Sequence, residues 1–176
     1  MIDKYYYTDT EIKELVKNIV IIIDTKEKVN NHILEYFDKK GIEYKKKSLD
    51  YGDYSFMLKA NEKLGIPKDV WFDKLVTIER KSSLEEISNN LTSERSRFEK
   101  ELVLAPKDKV ILIENASYED IALGNYDTKY NKASFLATLH KFWFKYSAPF
   151  FFLPDNRFSG LFIREFFEYY LKNYLR

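Results

Sequence analysis

The sequence predicts an α/β fold, in which a central β-sheet carries helices on both faces. Three short apolar runs, each ending on an acidic residue, are typical of buried strands: residues 19–24 (IVIIID), 75–79 (LVTIE) and 109–114 (KVILIE). Amphipathic segments of helical length lie between them. Strands that alternate with helices in this way favour a largely parallel sheet that is covered on both faces.

The first half of the chain opens on a strand and a helix. After the strand at 19–24, apolar residues recur at helical spacing over 29–40, and Gly41 stands where a helix C-cap glycine is expected. Residues 43–49 and 53–58 have an extended character with a turn between them. We therefore expect these two segments to form a hairpin.

Two segments fall outside the regular alternation. Residues 1–18 are expected to form an N-terminal extension. Residues 59–72 carry turn signals and a mixed pattern, which indicates a loop or short helix inserted between strands.

The second half continues with helices. One should begin at Ser82 or Ser83, because both serines open a capping-box pattern, and another should cover 94–104, stopped by Pro106. Three elements then close the chain: a long amphipathic helix, a short strand and an aromatic-rich helix, at 131–147, 149–153 and 157–175.

Length and composition narrow the class of protein. A chain of 176 residues suits one domain, which we expect to span 1–176. The absence of cysteine excludes disulfides and thiolate zinc sites, and His32 and His140 lie on expected helices as packing or surface residues. No signal peptide or membrane-spanning run is present, so the expected location is the cytoplasm, with no membrane partner.

Charge gives no direct support to a nucleic-acid partner, because the net charge is only +1. If DNA is bound, basic residues must be segregated from acidic ones. Two local clusters could contact phosphates, although either could equally be a solvated face: Lys45, Lys46 and Lys47 in one, and Arg95, Arg97 and Lys100 in the other.

Acidic residues at strand ends suggest a metal-dependent hydrolase. Glu79 and Lys81 point to the same side if the strand continues, because side chains alternate with period two, and Asp53 lies on a neighbouring strand. Carboxylates that hold a divalent cation beside a lysine are what phosphodiester hydrolysis requires. The acid-x-Lys pattern also occurs elsewhere, and Asp24 with Lys26 shares the strand context. From the residues alone, a metal site and ordinary strand-end charges both stay open.

Several motifs follow one another in order along the chain. The sequence reads Gly52-Asp53, a spacer, Glu79-Arg80-Lys81 and then Glu85. This order is similar to Gly-Asp…Glu-Arg-Lys-x3-Asp of the XPF/Hef-type nuclease family. Two further stretches look like family motifs: Asp24-Thr25-Lys26-Glu27 and Arg97-Phe98-Glu99-Lys100-Glu101. The resemblance runs from about residue 20 to the last helix. It implies a restriction-endonuclease-like three-layer α/β fold with a mixed central sheet.

The resemblance also implies an activity, that of a divalent-metal-dependent endodeoxyribonuclease that cuts flap, fork or junction DNA in repair or recombination. Its cofactor would be Mg²⁺, with Mn²⁺ as a substitute. Asp53 and Glu79 would bind the metal through their carboxylates, and Arg80 through its carbonyl. Lys81 would orient or activate the attacking water. Asp24 would be a further ligand or a base acting through water.

Other positions are given supporting roles by the resemblance. Glu27 would support Asp24, and Arg97 would hold the site or a phosphate. Three departures from the family pattern stand out. Lys26 replaces an arginine, Glu85 replaces an aspartate and could equally be a helix-capping residue, and the spacer before Glu79 is long and carries Trp71 and Phe72.

Partners follow from the same resemblance. The last helix carries more apolar surface than a core needs, and family members dimerise, so we expect a homodimer through this helix. The family's tandem helix-hairpin-helix module has no room in this sequence. Affinity for branched DNA would then come from dimerisation, a separate DNA-binding partner protein or the two basic clusters. Two other functions stay open: a non-catalytic subunit that binds DNA junctions, and a Holliday-junction resolvase of the wider superfamily.

Overall fold

A mixed β-sheet of seven strands forms the centre of the computed structural model, which describes residue 2 and residues 6–176. The strands are β1 (Ile19–Ile23), β2 (Tyr44–Lys46), β3 (Tyr54–Leu58), β4 (Val70–Trp71), β5 (Val76–Lys81), β6 (Asp108–Glu114) and β7 (Phe150–Leu153). Their order is β2-β1-β3-β5-β6-β7, and β4 pairs with β3. The pairs β1–β2, β5–β6 and β6–β7 are parallel, whereas β3 is antiparallel to β1, β4 and β5.

Helices cover both faces of this sheet. They are α1 (Asp9–Val16), α2 (Asn31–Lys40), α3 (Leu84–Leu91), α4 (Arg95–Leu104), α5 (Tyr118–Leu123), α6 (Lys132–Tyr146) and α7 (Ser159–Tyr174), with short 3-10 helices at Glu62–Leu64 and Asn156–Phe158. Helices α1, α2 and α7 pack on one face in a core that includes Ile21 and Ile78, and α3 to α6 pack on the other against Ile111 and Ile113. The predicted three-layer α/β fold with a mixed sheet is therefore confirmed.

The predicted hairpin between 43–49 and 53–58 is wrong. Strand β2 pairs parallel with β1, Ile22 standing opposite Lys45, and β3 pairs antiparallel with the other edge of β1. Helix α2 returns the chain so that β2 enters beside β1 in the same direction, as a strand–helix–strand crossover does. The following segment then crosses the end of β1 to reach β3. The expectation of a largely parallel sheet is corrected for the same reason, because β3 inserts antiparallel between two parallel pairs.

Local signals set several element boundaries. Ser83 caps α3, its side chain accepting from the Glu86 amide, and α4 ends at Leu104, before Pro106. Residues 1–18 include a capped helix, α1, which the sequence did not predict, and residues 59–72 contain a 3-10 helix and β4. No helix in the part of the chain that the structure describes is both long and apolar enough to cross a bilayer.

Candidate active site

A cavity of about 260 Å³ opens where β5 ends and β3 begins, on the face of the sheet that carries α4. Its wall includes five of the residues singled out by sequence: Asp24, Asp53, Glu79, Lys81 and Arg97. These side chains come from the end of β1, the entry to β3, β5 and α4. The fold thus joins segments that are far apart along the chain.

The approach of Asp53 to Glu79 is fixed by the pairing of β3 with β5. Tyr54 stands opposite Ile78, so the antiparallel register continues to place Asp53 opposite Glu79. The Asp53 amide donates to the Ile78 carbonyl at 2.8 Å, and the Arg80 amide donates to the Asp53 carboxylate at 2.7 Å. These bonds hold the Asp53 carboxylate against the end of β5.

Gly52 allows this close approach. Its φ of +74° lies in the left-handed region, and a Cβ at this position would come within 2.8 Å of the Thr77 Cβ. Any other residue would push the chain away from β5, and Asp53 with it. The Gly-Asp pair is therefore a steric requirement of the site.

Glu79 and Lys81 lie on the cavity side of β5, which runs through Lys81 as the spacing predicts. The Lys81 ammonium donates to the Glu79 carboxylate at 2.7 Å and lies 3.7 Å from Glu86. Burial acts to lower the pKa of Lys81, but the carboxylates of Glu79, Asp53 and Glu86 raise it above its usual value. The cavity therefore contains a charged ammonium beside its carboxylates.

The surroundings of the Asp53 carboxyl disfavour its ionised form. Burial raises its pKa well above the usual value, and the nearby charge of Glu79 raises it further, against smaller opposing effects of the Arg80 amide and Lys81. A divalent cation between the two carboxylates would remove this penalty. Within the described residues, no three His, Cys, Asp or Glu side chains form a metal cluster. The cavity does offer the carboxylate oxygens of Asp53 and Glu79, hard ligands of the kind that suit Mg²⁺.

Asp24 borders the cavity but uses its carboxylate locally. One oxygen accepts from the Leu49 amide at 2.9 Å and the other from the Lys26 amide at 3.3 Å. Its own amide donates to the Asp53 carbonyl at 2.8 Å. Asp24 thus fixes the segment that crosses from β2 to β3, as well as facing the cavity.

The Arg80 side chain points to the opposite face of the sheet, as alternation requires. Its guanidinium donates to Glu27 at 3.0 Å and to Glu114 at 2.6 Å, and His32 lies 2.9 Å from the other Glu114 oxygen. Burial alone would raise the pKa of Glu114, but hydrogen bonds, led by that from Arg80, hold it below its usual range. Glu27 therefore lies behind β5, paired with Arg80, and is not among the residues that line the cavity.

The other predicted residues lie at the rim of the cavity or outside it. The Glu85 carboxylate accepts from the Asp127 amide at 3.0 Å, which ties α3 to the loop before α6, and Glu85 is not among the cavity-lining residues. Arg97 reaches the cavity rim while paired with Glu94 at 2.5 Å. The lysines of the first basic cluster are all exposed at the β2 edge: Lys45, Lys46 and Lys47.

Sequence reasoning missed two carboxylates near the site. Glu86 faces Lys81 and also accepts from the amide and hydroxyl of Ser82, both at 2.8 Å. The overlapping capping-box pattern at the start of α3 was the signal for it. Glu114 was noted as a strand-end acid, but its partnership with Arg80 depends on pairing between β5 and β6, which the sequence does not encode locally.

Two solved structures have a fold similar to that of this chain. XPF from Aeropyrum pernix is similar in structure, with a TM-score of 0.60 at 15% identity over 86% of this chain, and XPF from the same organism in complex with DNA gives 0.64 at 16% over 88%. The chain spans 61% and 66% of those two proteins, which is less than two thirds of either. No curated protein matches in sequence.

The family model of the ERCC4 domain matches residues 23–166, which contain all four of Asp24, Asp53, Glu79 and Lys81. These residues make up most of the chain. The protein belongs to the ERCC4 domain family of nucleases.

Proposed function

We propose that the protein is a divalent-metal-dependent DNA endonuclease that hydrolyses phosphodiester bonds in flap, fork or junction DNA, with residues 1–176 acting as one nuclease domain. The observation that carries this proposal is the meeting of Asp53 and Glu79 at one cavity with the Lys81 ammonium 2.7 Å from Glu79. The ERCC4 family membership supports it.

In this proposal Asp53 and Glu79 would hold Mg²⁺, or Mn²⁺ as a substitute, together with the Arg80 carbonyl and with Asp24 at the rim. A cation held there would provide Lewis-acid stabilisation of the scissile phosphate. Asp53 is well suited as a ligand, because cation binding favours the ionised carboxylate that burial and Glu79 disfavour.

Lys81 orients the attacking water and stabilises negative charge that develops on the phosphate. Its raised pKa keeps it protonated at neutral pH, so its role is that of a hydrogen-bond donor and positive charge, not of a base. Each Asp24 carboxylate oxygen accepts one amide and retains a further lone pair, so Asp24 can accept a proton through water without releasing either amide.

Arg80 and its two acidic partners keep the end of β5 in place. The Arg80 side chain is anchored by Glu27 and Glu114 behind the sheet, while its carbonyl is the proposed third oxygen ligand. Arg97 at the rim can exchange Glu94 for a phosphate, because this ion pair is exposed and weak.

A panel of labelled substrates tests this proposal. Flap, fork, four-way junction and plain duplex DNA are each incubated with Mg²⁺, and branched substrates should be cut in preference to duplex. Asp53→Asn and Glu79→Gln should abolish cutting, whereas Glu85→Gln, a matched carboxylate outside the cavity, should retain it.

Each alternative has its own outcome in that panel. Equal cutting by wild type and the two cavity variants would refute the proposed site. Junction binding without cutting would identify a non-catalytic binding subunit, and symmetric paired incisions in a four-way junction would identify a resolvase. The intact Asp53, Glu79 and Lys81 favour the endonuclease over the inactive subunit.

We also propose a homodimer through α7. Exposed aromatic and aliphatic side chains lie on this helix or just before it, including Phe158 (53% exposed), Leu161 (39%), Tyr169 (58%) and Tyr174 (50%). Neighbouring Phe151 on β7 is 47% exposed and extends this surface. Light scattering at micromolar concentration should give a dimer that Tyr169→Glu converts to monomer. A monomeric wild type would refute the dimer and leave a separate DNA-binding partner or the two basic clusters as the source of affinity.

A further inference from the structure

The inserted segment places a half-exposed aromatic ring on the same face of the sheet as the cavity. Strand β4 pairs with β3 so that Trp71 stands opposite Met57, and Trp71 remains 41% exposed. The next residue, Phe72, is fully buried and stacks on Phe56 with ring centroids 4.3 Å apart. Phe72 therefore anchors the insertion in the core and leaves the indole of Trp71 outside.

A lysine from the β2 edge lies on this ring. The Lys47 ammonium is 3.9 Å from the centre of the Trp71 ring and 3.2 Å from an Asp73 carboxylate oxygen. Its amide donates to the Ile23 carbonyl at 3.0 Å, so the position of Lys47 is fixed from β1. Cation–π contacts of this kind at an exposed site are worth about 0.5–1 kcal/mol. The ring contact is therefore easily lost, although an ammonium that leaves this position also breaks its ion pair with Asp73.

The ring and the cavity belong to one surface. Met57 packs with Val20, Ile22 and Leu49 in a small cluster separate from the two cores that contain helix residues. Leu49 also lines the cavity, where its amide donates to Asp24. Trp71 lies opposite Met57, four residues along β3 from Asp53, a span of about 13 Å at ~3.3 Å per residue. A strand that keeps its duplex stacking covers this in roughly four steps at ~3.4 Å each, and a more extended unpaired strand covers it in fewer.

The charge of this surface suits a phosphate backbone. Seven basic and six acidic side chains line the cavity or lie beside the ring, which leaves one positive charge: Lys26, Lys45, Lys47, Lys74, Lys81, Arg97 and Lys109 against Asp24, Asp50, Asp53, Asp73, Glu79 and Glu101. Beside the ring, Asp50 is paired with Lys74 and Asp73 with Lys47. Flat aromatic rings combined with basic side chains are how proteins bind unpaired strands without regard to sequence.

We propose that Trp71 and Lys47 form a subsite for an unpaired DNA arm that leads away from the cavity. One base stacks on the indole, and the Lys47 ammonium moves from the ring to the adjacent phosphate. The subsite rests on the nuclease function proposed above, since it binds an arm of the same branched substrate.

The two tryptophans of the chain allow a direct test. Trp143, on α6, is 48% exposed and serves as the matched control for Trp71. Fluorescence is followed while a short oligothymidylate is added in EDTA, so that no cleavage occurs. The Trp143→Phe protein, which keeps only Trp71, should be quenched saturably, and the Trp71→Phe protein should not.

Affinity gives a second, independent measurement. By fluorescence anisotropy of the labelled oligonucleotide, Trp71→Ala should weaken binding by roughly tenfold, whereas Trp143→Ala should leave it unchanged. Lys47→Ala should reduce the slope of log affinity against log salt by about 0.7, the value for one phosphate contact on a single strand.

Three results would overturn the subsite: quenching of Trp143 in place of Trp71, equal losses in the two alanine variants, or no binding of the oligonucleotide. The outcome is separate from that of the cleavage panel. A protein that cuts branched DNA without quenching of Trp71 retains the nuclease and loses the subsite. A protein that shows the quenching but does not cut retains the subsite and loses the nuclease.

Discussion

Replacing Gly52 by alanine should damage both stability and catalysis, and by an amount that the structure allows to be worked out. At φ +74° the left-handed conformation costs an L-residue about 1–2 kcal/mol. The new Cβ would meet the Thr77 Cβ at 2.8 Å and the Ile78 carbonyl at 3.1 Å, and overpacking of this kind adds about 1–3 kcal/mol. The reduced freedom of the unfolded chain offsets about 0.4–1 kcal/mol.

The sum is a loss of about 3 kcal/mol in the free energy of unfolding. For a chain of this length it corresponds to a fall in melting temperature of about 6–12 °C. The matched control is Gly41→Ala. Gly41 has a similar φ of +64°, but a Cβ there meets nothing within 4 Å, so the loss should be only about 1 kcal/mol.

The assay is thermal unfolding by circular dichroism, together with the rate of flap cleavage in Mg²⁺. Gly52→Ala should melt lower than Gly41→Ala and lose cleavage, because relief of the clash moves Asp53 away from Glu79. Equal melting temperatures for the two variants, or full cleavage by Gly52→Ala, would refute the steric account of the Gly-Asp pair.

Two further predictions concern buried charge. Glu114→Gln should lower the free energy of unfolding by about 3 kcal/mol, because it removes one charge partner of the buried Arg80. The control Asp155→Asn, which breaks an exposed pair with Arg157, should cost less than about 1 kcal/mol. Equal effects of the two variants in thermal melts would contradict this. Asp53→Asn should raise the melting temperature in metal-free buffer. The folded-state pKa of Asp53 is raised above 3.8, so the wild type loses stability as pH rises from about 3.8 through that pKa. The advantage of the variant should therefore be absent in acid and full at alkaline pH, and a constant advantage at every pH would contradict the electrostatic cause.

The sequence patterns of strands and helices predicted much of the fold. Apolar runs located β1, β5 and β6, and the alternation of side chains predicted that Glu79 and Lys81 share one side of β5. Serine capping patterns located the start of α3. These features depend on neighbours within a few residues, and such neighbours are visible in a sequence.

Strand pairing could not be obtained in this way. Two extended segments on either side of a turn resemble a hairpin. In the structure, however, β3 lies on the opposite side of β1 from β2 and pairs with the buried strand β1 through five residue pairs. The choice between the two arrangements depends on burial over the whole sheet and not on the turn. The same limit applies to Arg80, whose partners Glu27 and Glu114 are 53 and 34 residues distant in sequence.

The contribution of Asp24 and Glu85 also required coordinates. Both are acids in motif positions, yet one fixes the crossing segment through the Leu49 amide and the other ties α3 to the Asp127 amide. The sequence shows that these positions are acidic, but it does not show which backbone amides each carboxylate accepts from. That depends on the direction of the side chain in the folded chain.

The central claim is that Asp53 and Glu79 share one divalent cation, and a crystal soaked in Mn²⁺ tests it most directly. An anomalous difference map should show a single peak between these two carboxylates, within about 2.5 Å of an oxygen from each, and the peak should be absent in Glu79→Gln crystals. A map with no peak at the cavity, or with Mn²⁺ bound elsewhere and both carboxylates free, would contradict the account.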